Sequence, residues 1–349
     1  MKKYIVFLAL LFTKSIWAQD WYHVGPTAAA GSQFVPERVQ CIAINSFYND
    51  SMYCASRGGL WVSSNAGSSW REMDPNNNMS LYSGATSIVI GPTSHHVYIA
   101  ATDIDNSISD SRIWVYDNST ASWSTLGSIA SGQFEINNIQ FYPGNENTIY
   151  ACTSIGLYRT TNHGGSWTQC GPVTNVYNIV FATIGATTYS YISGNKIFYE
   201  STNGVTFTAA PPSVFSSLFS MYTNILGNIC IGNQTSSSFD IYFYASCYNS
   251  GTTDASACYQ IIKYNNTSGT ESAIAYFAVH EYDNSPDRLA LGYTNNGGGY
   301  LWFGGVGLYA LSYANYTATN SLTAISNTGN TVGLLNPHSD QHYVLDAPG

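Results

Sequence analysis

The chain has 349 residues, of which only 9% are charged and 15% aromatic, including 28 tyrosines, and its formal net charge is -9. That aromatic content excludes a disordered chain, and the scarcity of Lys and Arg excludes a nucleic-acid partner, because phosphate binding needs clustered cations. After the N-terminal segment no run of the ~20 apolar residues needed for a membrane helix occurs, so no membrane span is expected.

In chain order, Lys2 and Lys3 precede an apolar run over 4–12, and Ser15-Ile16-Trp17-Ala18 offers a cleavage site before Gln19. Residues 1–18 read as a secretory signal peptide outside the fold, which places the mature protein outside the cell. About 330 residues remain, enough for one large repeat domain or two ordinary ones. The compartment permits disulfides between its seven cysteines. Cys247 and Cys258 flank a polar turn and can face each other across a hairpin, and the same holds for Cys41 and Cys54. An odd count leaves at least one thiol without a partner in the chain. Small buried hydrophobes are the alternative reading for Cys152 and Cys230.

The stretch 58–70, GGLWVSSNAGSSW, reads as a strand, a polar hairpin turn and a second strand. It recurs: residues 51–72 align without gaps on 148–169, at an offset of 97. That offset is about two blade lengths of the usual ~40–50 residues, so an intermediate copy is expected. Trp114 and Trp123 supply it, nine residues apart like Trp61 and Trp70, around Asp117-Asn118-Ser119-Thr120. Tyr158 and Trp167 keep the spacing, as do Phe198 and Phe207 around Ser201-Thr202-Asn203-Gly204, and a decayed copy begins at Gly307.

Each unit also has two upstream apolar runs: 39–44 and 52–55, 86–90 and 97–101, 136–141 and 148–152, 177–182 and 188–192. Runs this short, bounded by Gly, Pro, Asn and Ser, are strands. No segment sustains a helical period. A fifth unit over 214–280 offers five candidate strands, 221–226, 229–232, 240–247, 258–264 and 273–279, one more than a blade needs. A sixth has strands at 289–293, 300–303, 308–313 and 322–325. Four strands per unit, repeated radially, is an all-β fold, a β-propeller of four-stranded antiparallel blades. Six blades are discernible and seven are expected in the complete protein. Residues 21–26 match 167–172 and read as an outer strand, while 342–346 reads as a first strand. The propeller domain over 19–349 is therefore expected to stop roughly 25 to 35 residues short of closing a seven-bladed ring. A six-bladed ring with both terminal strands at its seam is the competing expectation.

The boxes SSNAGSSW at 63–70 and TTNHGGSW at 160–167 resemble the Asp-box, or bacterial neuraminidase repeat. That pattern is Ser/Thr, any, Asp, any, Gly, any, Ser/Thr, Trp/Phe; this chain has Asn in place of Asp. Together with 21–26, 38–43 and 58–61, the boxes look like secreted Asp-box propellers of the Bacteroidetes type, in the sialidase-like, sortilin-like and xyloglucanase-like superfamily. The resemblance covers nearly the whole mature chain. It implies structural roles for Ser63, Asn65, Gly67, Trp70, Asn118, Trp123, Thr160, Asn162, Gly164, Trp167, Asn203 and Phe207. Asn and Ser/Thr side chains can bond turn amides, glycine takes positive φ without strain, and the closing aromatic buries a large apolar face. It leaves function open, since fold does not imply function.

A sialidase-like enzyme needs three converging arginines and a Tyr/Glu nucleophile pair. Arg38, Arg57 and Arg288 are the arginines that can converge near the channel, with solvated surface positions as the alternative; Arg71 and Arg159 lie in or beside outer-strand boxes. A two-carboxylate glycosidase needs Asp or Glu on opposite sides of a bond; Glu37, Asp103, Asp105, Glu135, Glu281, Asp283, Asp287 and Asp340 are candidates, with no pair singled out. The most concentrated constellation is His338-Ser339-Asp340-Gln341-His342. On a strand His338, Asp340 and His342 share one face, and two imidazoles with a carboxylate suit a divalent metal. A polar network steadying the strand is the alternative. Asp103, Asp105, Asn106 and Asp110 form an oxygen-rich loop of the kind calcium favours, or a plain solvated loop. The function expected is a monomeric secreted binding module for a glycan or an extracellular protein. Glycoside hydrolysis, sialidase-like or xyloglucanase-like, is the alternative.

Overall fold

The structure, a computed structural model, describes residues 39–48, 51–56, 59–73, 83–103, 111–210, 220, 223–248, 258–277, 290–294, 300–304, 308–312 and 323–326. Six four-stranded sheets follow one another. The first holds β1 (Val39–Asn45), β2 (Ser51–Ser56), β3 (Gly59–Ser63) and β4 (Arg71–Glu72). The second holds β5 (Ser83–Ile90), β6 (Val97–Asp103), β7 (Arg112–Asp117) and β8 (Ser122–Thr125). The third holds β9 (Ile136–Tyr142), β10 (Asn145–Thr153), β11 (Gly156–Thr160) and β12 (Thr168–Gln169). In the fourth are β13 (Val176–Ile184), β14 (Thr187–Gly194), β15 (Ile197–Ser201) and β16 (Thr208–Ala209). The fifth comprises β17 (Asn224–Gly232), β18 (Asp240–Tyr248), β19 (Cys258–Asn265) and β20 (Glu271–Phe277). The sixth comprises β21 (Ala290–Thr294), β22 (Tyr300–Gly304), β23 (Leu308–Ser312) and β24 (Thr323–Ser326).

Within each sheet the strands pair antiparallel in chain order, and each first strand packs on the next, β1 on β5 through to β17 on β21. The molecule is a β-propeller. Comparable packing of β21 on β1 is not found among the described residues. The expected closing strands at 21–26 and 342–346 lie outside them.

The period-2 alternation of a strand gives each blade two faces, and both are used. Tyr53, Ala55, Leu60 and Val62 of the first blade pack with Ile88, Val97 and Ile99 of the second. Tyr98, Ala100 and Ile113 continue on the other face, against Ile136, Ile139 and Ile149. Cys152, Leu157, Val176 and Ile192 fill the next boundary. Each Val, Leu or Ile side chain among these contributes roughly 1.5–3 kcal/mol on leaving water.

Two expectations are corrected. The extra strand of the fifth unit disappears because 224–226 and 229–232 are parts of one strand, β17, which pairs with β18 without a break from Asn224 to Gly232. Gly227, which reads as a breaker, is a contact instead: a Cβ there would stand 2.2 Å from the Phe243 ring. Cys41 and Cys54 do not oppose each other. The register set by the first hairpin pairs Cys41 with Ala55 and Ile42 with Cys54, and residues one step apart point to opposite faces. Both are buried free thiols, as are Cys152 and Cys170. Cys247 and Cys258, by contrast, are direct register partners across β18 and β19.

Candidate functional site

Three layers of polar structure lie on this frame. The innermost follows from a repeated irregularity. Each first strand from β1 to β13 carries one extra residue against its partner, at Gln40, Thr86, Asn137 and Tyr177. Such a bulge bends the strand and re-aims the side chains beside it. Here it turns Ser87, Asn138 and Asn178 along the ring. The Ser87 hydroxyl donates to Asn138 Oδ1 at 2.7 Å, Asn138 Nδ2 to Asn178 Oδ1 at 2.5 Å, and Asn178 Nδ2 to Asn228 Oδ1 at 2.7 Å. Beside this belt, Thr86 donates to the Ile136 carbonyl at 2.5 Å and Asn137 to the Val176 carbonyl at 2.7 Å. First strands of successive blades are thus joined by uncharged amides and hydroxyls.

The second layer is the third-to-fourth-strand turn. In the first blade Asn65 Oδ1 accepts from the Ser63 hydroxyl at 2.9 Å and the Ser69 amide at 2.8 Å, while Ser63 Oγ accepts from the Gly67 amide at 2.8 Å. In the third, Asn162 accepts from the Thr160 hydroxyl and the Ser166 amide at 2.8 and 2.9 Å. Asn203 repeats this with Ser201 and Val205 at 3.0 and 2.8 Å. Gly67, Gly164 and Gly204 all take positive φ. Trp70 Nε1 donates to the Gly67 carbonyl at 3.1 Å, and Trp167 Nε1 reaches the Gly127 carbonyl of the preceding blade at 3.1 Å. Trp123 and Phe207 pack at the rims of the cores. In the second blade the turn acceptor is Asp117 rather than Asn118: Asp117 Oδ1 receives the Ser119 amide at 2.7 Å and its hydroxyl at 2.6 Å. Those bonds hold its carboxyl well below the usual range.

Asn118 belongs to the third layer, which ties blades together. A tyrosine recurs at one place on the second strand, as Tyr53, Tyr98, Tyr150, Tyr191 and Tyr242. Tyr53 donates to Asn118 Oδ1 at 2.8 Å, and Tyr150 donates to the Gly204 carbonyl at 2.7 Å, each reaching the turn of the next blade. Tyr98 donates to Glu146 Oε1 at 2.9 Å, so its oxygen accepts from Nε2 of His163, within the third-blade turn. Glu146 also receives the Thr93 and Ser94 amides, each at 2.8 Å, and both their hydroxyls. Burial opposes its charge, but these bonds together outweigh burial and hold the carboxyl down at about 2.

Tyr98–Glu146 has the composition of a nucleophile pair, and Glu200 beside Tyr191 makes a second. Neither can act as one. Tyr98 and Tyr191 are fully buried, and burial followed by the neighbouring carboxylate drives both phenols further from ionisation. A nucleophile needs access and the opposite shift. Burial likewise raises the Glu200 carboxyl. In the fifth blade, buried Asp240 takes Lys263 Nζ at 2.9 Å, Asn233 at 2.7 Å and Asn265 at 2.8 Å.

At the boundary of the first two blades the turns leave aromatic surface in water. Phe47 is 60% exposed and Tyr48 39%. The Phe47 ring stacks on His95, with centroids 3.9 Å apart and planes 8° from parallel, and meets Tyr48 edge-on at 5.0 Å. His95 has a φ of 57°, and its carbonyl is gripped by Asn45 Nδ2 at 3.1 Å and Asn118 Nδ2 at 3.0 Å. Its neighbour His96 places Nε2 3.4 Å from Asp117 Oδ1.

His338, Asp340, His342, Arg38, Arg57, Arg288, Asp105, Asn106 and Asp110 lie outside the described residues, as do Glu37, Glu281, Asp283 and Asp287. Glu135 is exposed. Arg71 is exposed on β4, whereas Arg159 on β11 lies over the Tyr150 ring at 5.7 Å, so these two do not converge. The gapless match of 51–72 on 148–169 superposes Tyr53 on Tyr150, which was the available signal for the tyrosine ties. Nothing local to Glu146 announces its role, because its donors stand some fifty residues earlier.

No protein-family model matches the chain, and no curated protein does. Solved structures do. An ancestral GH74 enzyme superposes with a TM-score of 0.57 at 16% identity, over 87% of this chain and 43% of that one. The extracellular domain of a putative one-component system from B. thetaiotaomicron gives 0.57 at 17%, over 85% and 35%. The GH74 enzyme of Niastella koreensis gives 0.50 at 16%, over 82% and 45%. This chain spans less than half the length of each, and the likeness is one of fold.

Proposed function

We propose that this is a secreted Asp-box β-propeller that binds glycan without hydrolysing it. The observation that carries this reading is the use made of three carboxylates among the described residues. Glu146, Glu200 and Asp240 are each bound by side chains of their own or the adjoining blade, and the belt between first strands is uncharged. Acid–base hydrolysis needs free carboxyl groups within hydrogen-bond reach of a substrate; amides and aromatic faces suit recognition. The similarity to an extracellular domain and to GH74 enzymes supports an extracellular, glycan-directed role, as does the signal peptide read at 1–18. Among the described residues no helix is long and apolar enough to cross a membrane.

Within this reading, Arg38 and Arg57 remain ligand-binding candidates. His338, Asp340 and His342 remain a candidate divalent-metal set; metal content of untagged protein, wild type against Asp340→Ala, checks them, and equal content removes the idea. The main experiment is a binding and hydrolysis screen on sialosides and β-glucans. Binding with no released product is expected. Turnover of any member replaces the reading with a glycoside hydrolase.

A further inference from the structure

The boundary between the first two blades carries a recognition surface on its turns. Phe47 offers one ring face to His95 and leaves most of the rest of its surface to water. Among the described residues only Phe47, Tyr48, Val173 and Val205 are large hydrophobics left open. The two aromatic ones are adjacent and perpendicular, forming a corner rather than a flat patch.

The platform is also held rigid. Asn45 Oδ1 accepts the Phe47 amide at 3.1 Å, closing the turn that carries the ring. Asn45 Nδ2 and Asn118 Nδ2 then clamp the His95 carbonyl from two different blades. His95 keeps a side chain at positive φ, where the first-to-second-strand turns of the third and fourth blades use Gly144 and Gly185. That conformation is strained for an L-residue, and here it sets an imidazole under Phe47. Such a pre-organised ring loses little entropy when a ligand lands on it.

The charge around the corner selects the ligand. Asp117 is ionised and accepts hydrogen bonds, and His96 beside it presents ring nitrogens. The whole chain has a net charge of -9. An anionic ligand is repelled, whereas a ring with apolar C–H faces and hydroxyl edges satisfies both surfaces.

We propose that Phe47, Tyr48, His95, His96 and Asp117 form a subsite for a neutral pyranose. Phe47 stacks on the sugar face, Tyr48 walls one side, and Asp117 and His96 receive hydroxyls. This rests on the glycan-binding reading and adds a place and a ligand class to it. The test is isothermal titration calorimetry of the full chain with cellotetraose, xylotetraose and mannotetraose, and sialyllactose as the charged control. At least one neutral oligosaccharide binds and sialyllactose does not. Phe47→Ala and Tyr48→Ala each weaken that binding about tenfold or more, with thermal midpoints unchanged. Phe47→Trp retains it, and so does Val205→Ala on the fourth blade. Neutral-sugar binding that survives Phe47→Ala unaltered overturns the subsite and leaves the propeller a glycan binder. Failure of the wild type to bind any saccharide removes both.

Discussion

Two neighbouring blade boundaries use the same tyrosine to opposite ends. At the first, Tyr53 meets a neutral amide, Asn118, whose other end grips the His95 carbonyl, and Phe47 and Tyr48 are left in solvent above it. At the second, Tyr98 meets the carboxylate of Glu146, which draws in both hydroxyls and both amides of Thr93 and Ser94. One boundary closes around a buried charge; the other stays neutral and open at its surface. A single repeated position can thus serve as a lock or as a support, depending on what the next blade presents to it.

The contrast is broken most severely at Glu146. Glu146→Ala strands several donors in a poorly hydrated site, and a loss of about 3 kcal/mol is expected, read from urea denaturation midpoints. The same residue gives a pH signature. Its carboxyl lies at about 2 in the fold against an ordinary 4.5, so the folded state favours the ionised form. The stabilisation is complete above the ordinary value and is lost as pH falls through about 2. Glu146→Gln should flatten that part of the stability profile, measured from about pH 2 to 6.

Tyr98→Phe removes a hydrogen bond to a charged partner and should cost roughly 2 kcal/mol, whereas Tyr53→Phe removes a neutral one and should cost about 1. Equal losses would erase the distinction between the two boundaries. The smallest expected effect is that of Phe47→Ala, within about 0.5 kcal/mol on stability because the ring is exposed. A larger loss would make Phe47 a structural residue and the first boundary a lock like the second.

The blades were legible in the sequence to an unusual degree. Five of the six have first and second strands that begin or end within a few residues of the apolar runs, because turns rich in Gly, Asn and Ser interrupt them sharply. The fifth blade shows where that signal fails. Gly227 and Asn228 look like a break between two strands, yet Phe243 packs on the glycine and the strand continues. At the second blade the turn acceptor is Asp117, one residue before Asn118. Spacing alone could not choose between them, since both are good turn formers.

By itself the sequence determined the repeat, the four-strand unit and the Asn-centred turns, since each depends on residues close together in the chain. The tertiary structure alone decided which carboxylates are spent on the fold, that Cys41 faces Ala55, and that Phe47 meets His95. Those outcomes depend on register and on contacts between blades some fifty residues apart, and period-2 alternation gives the same local pattern to a residue that faces a partner and to one that faces water.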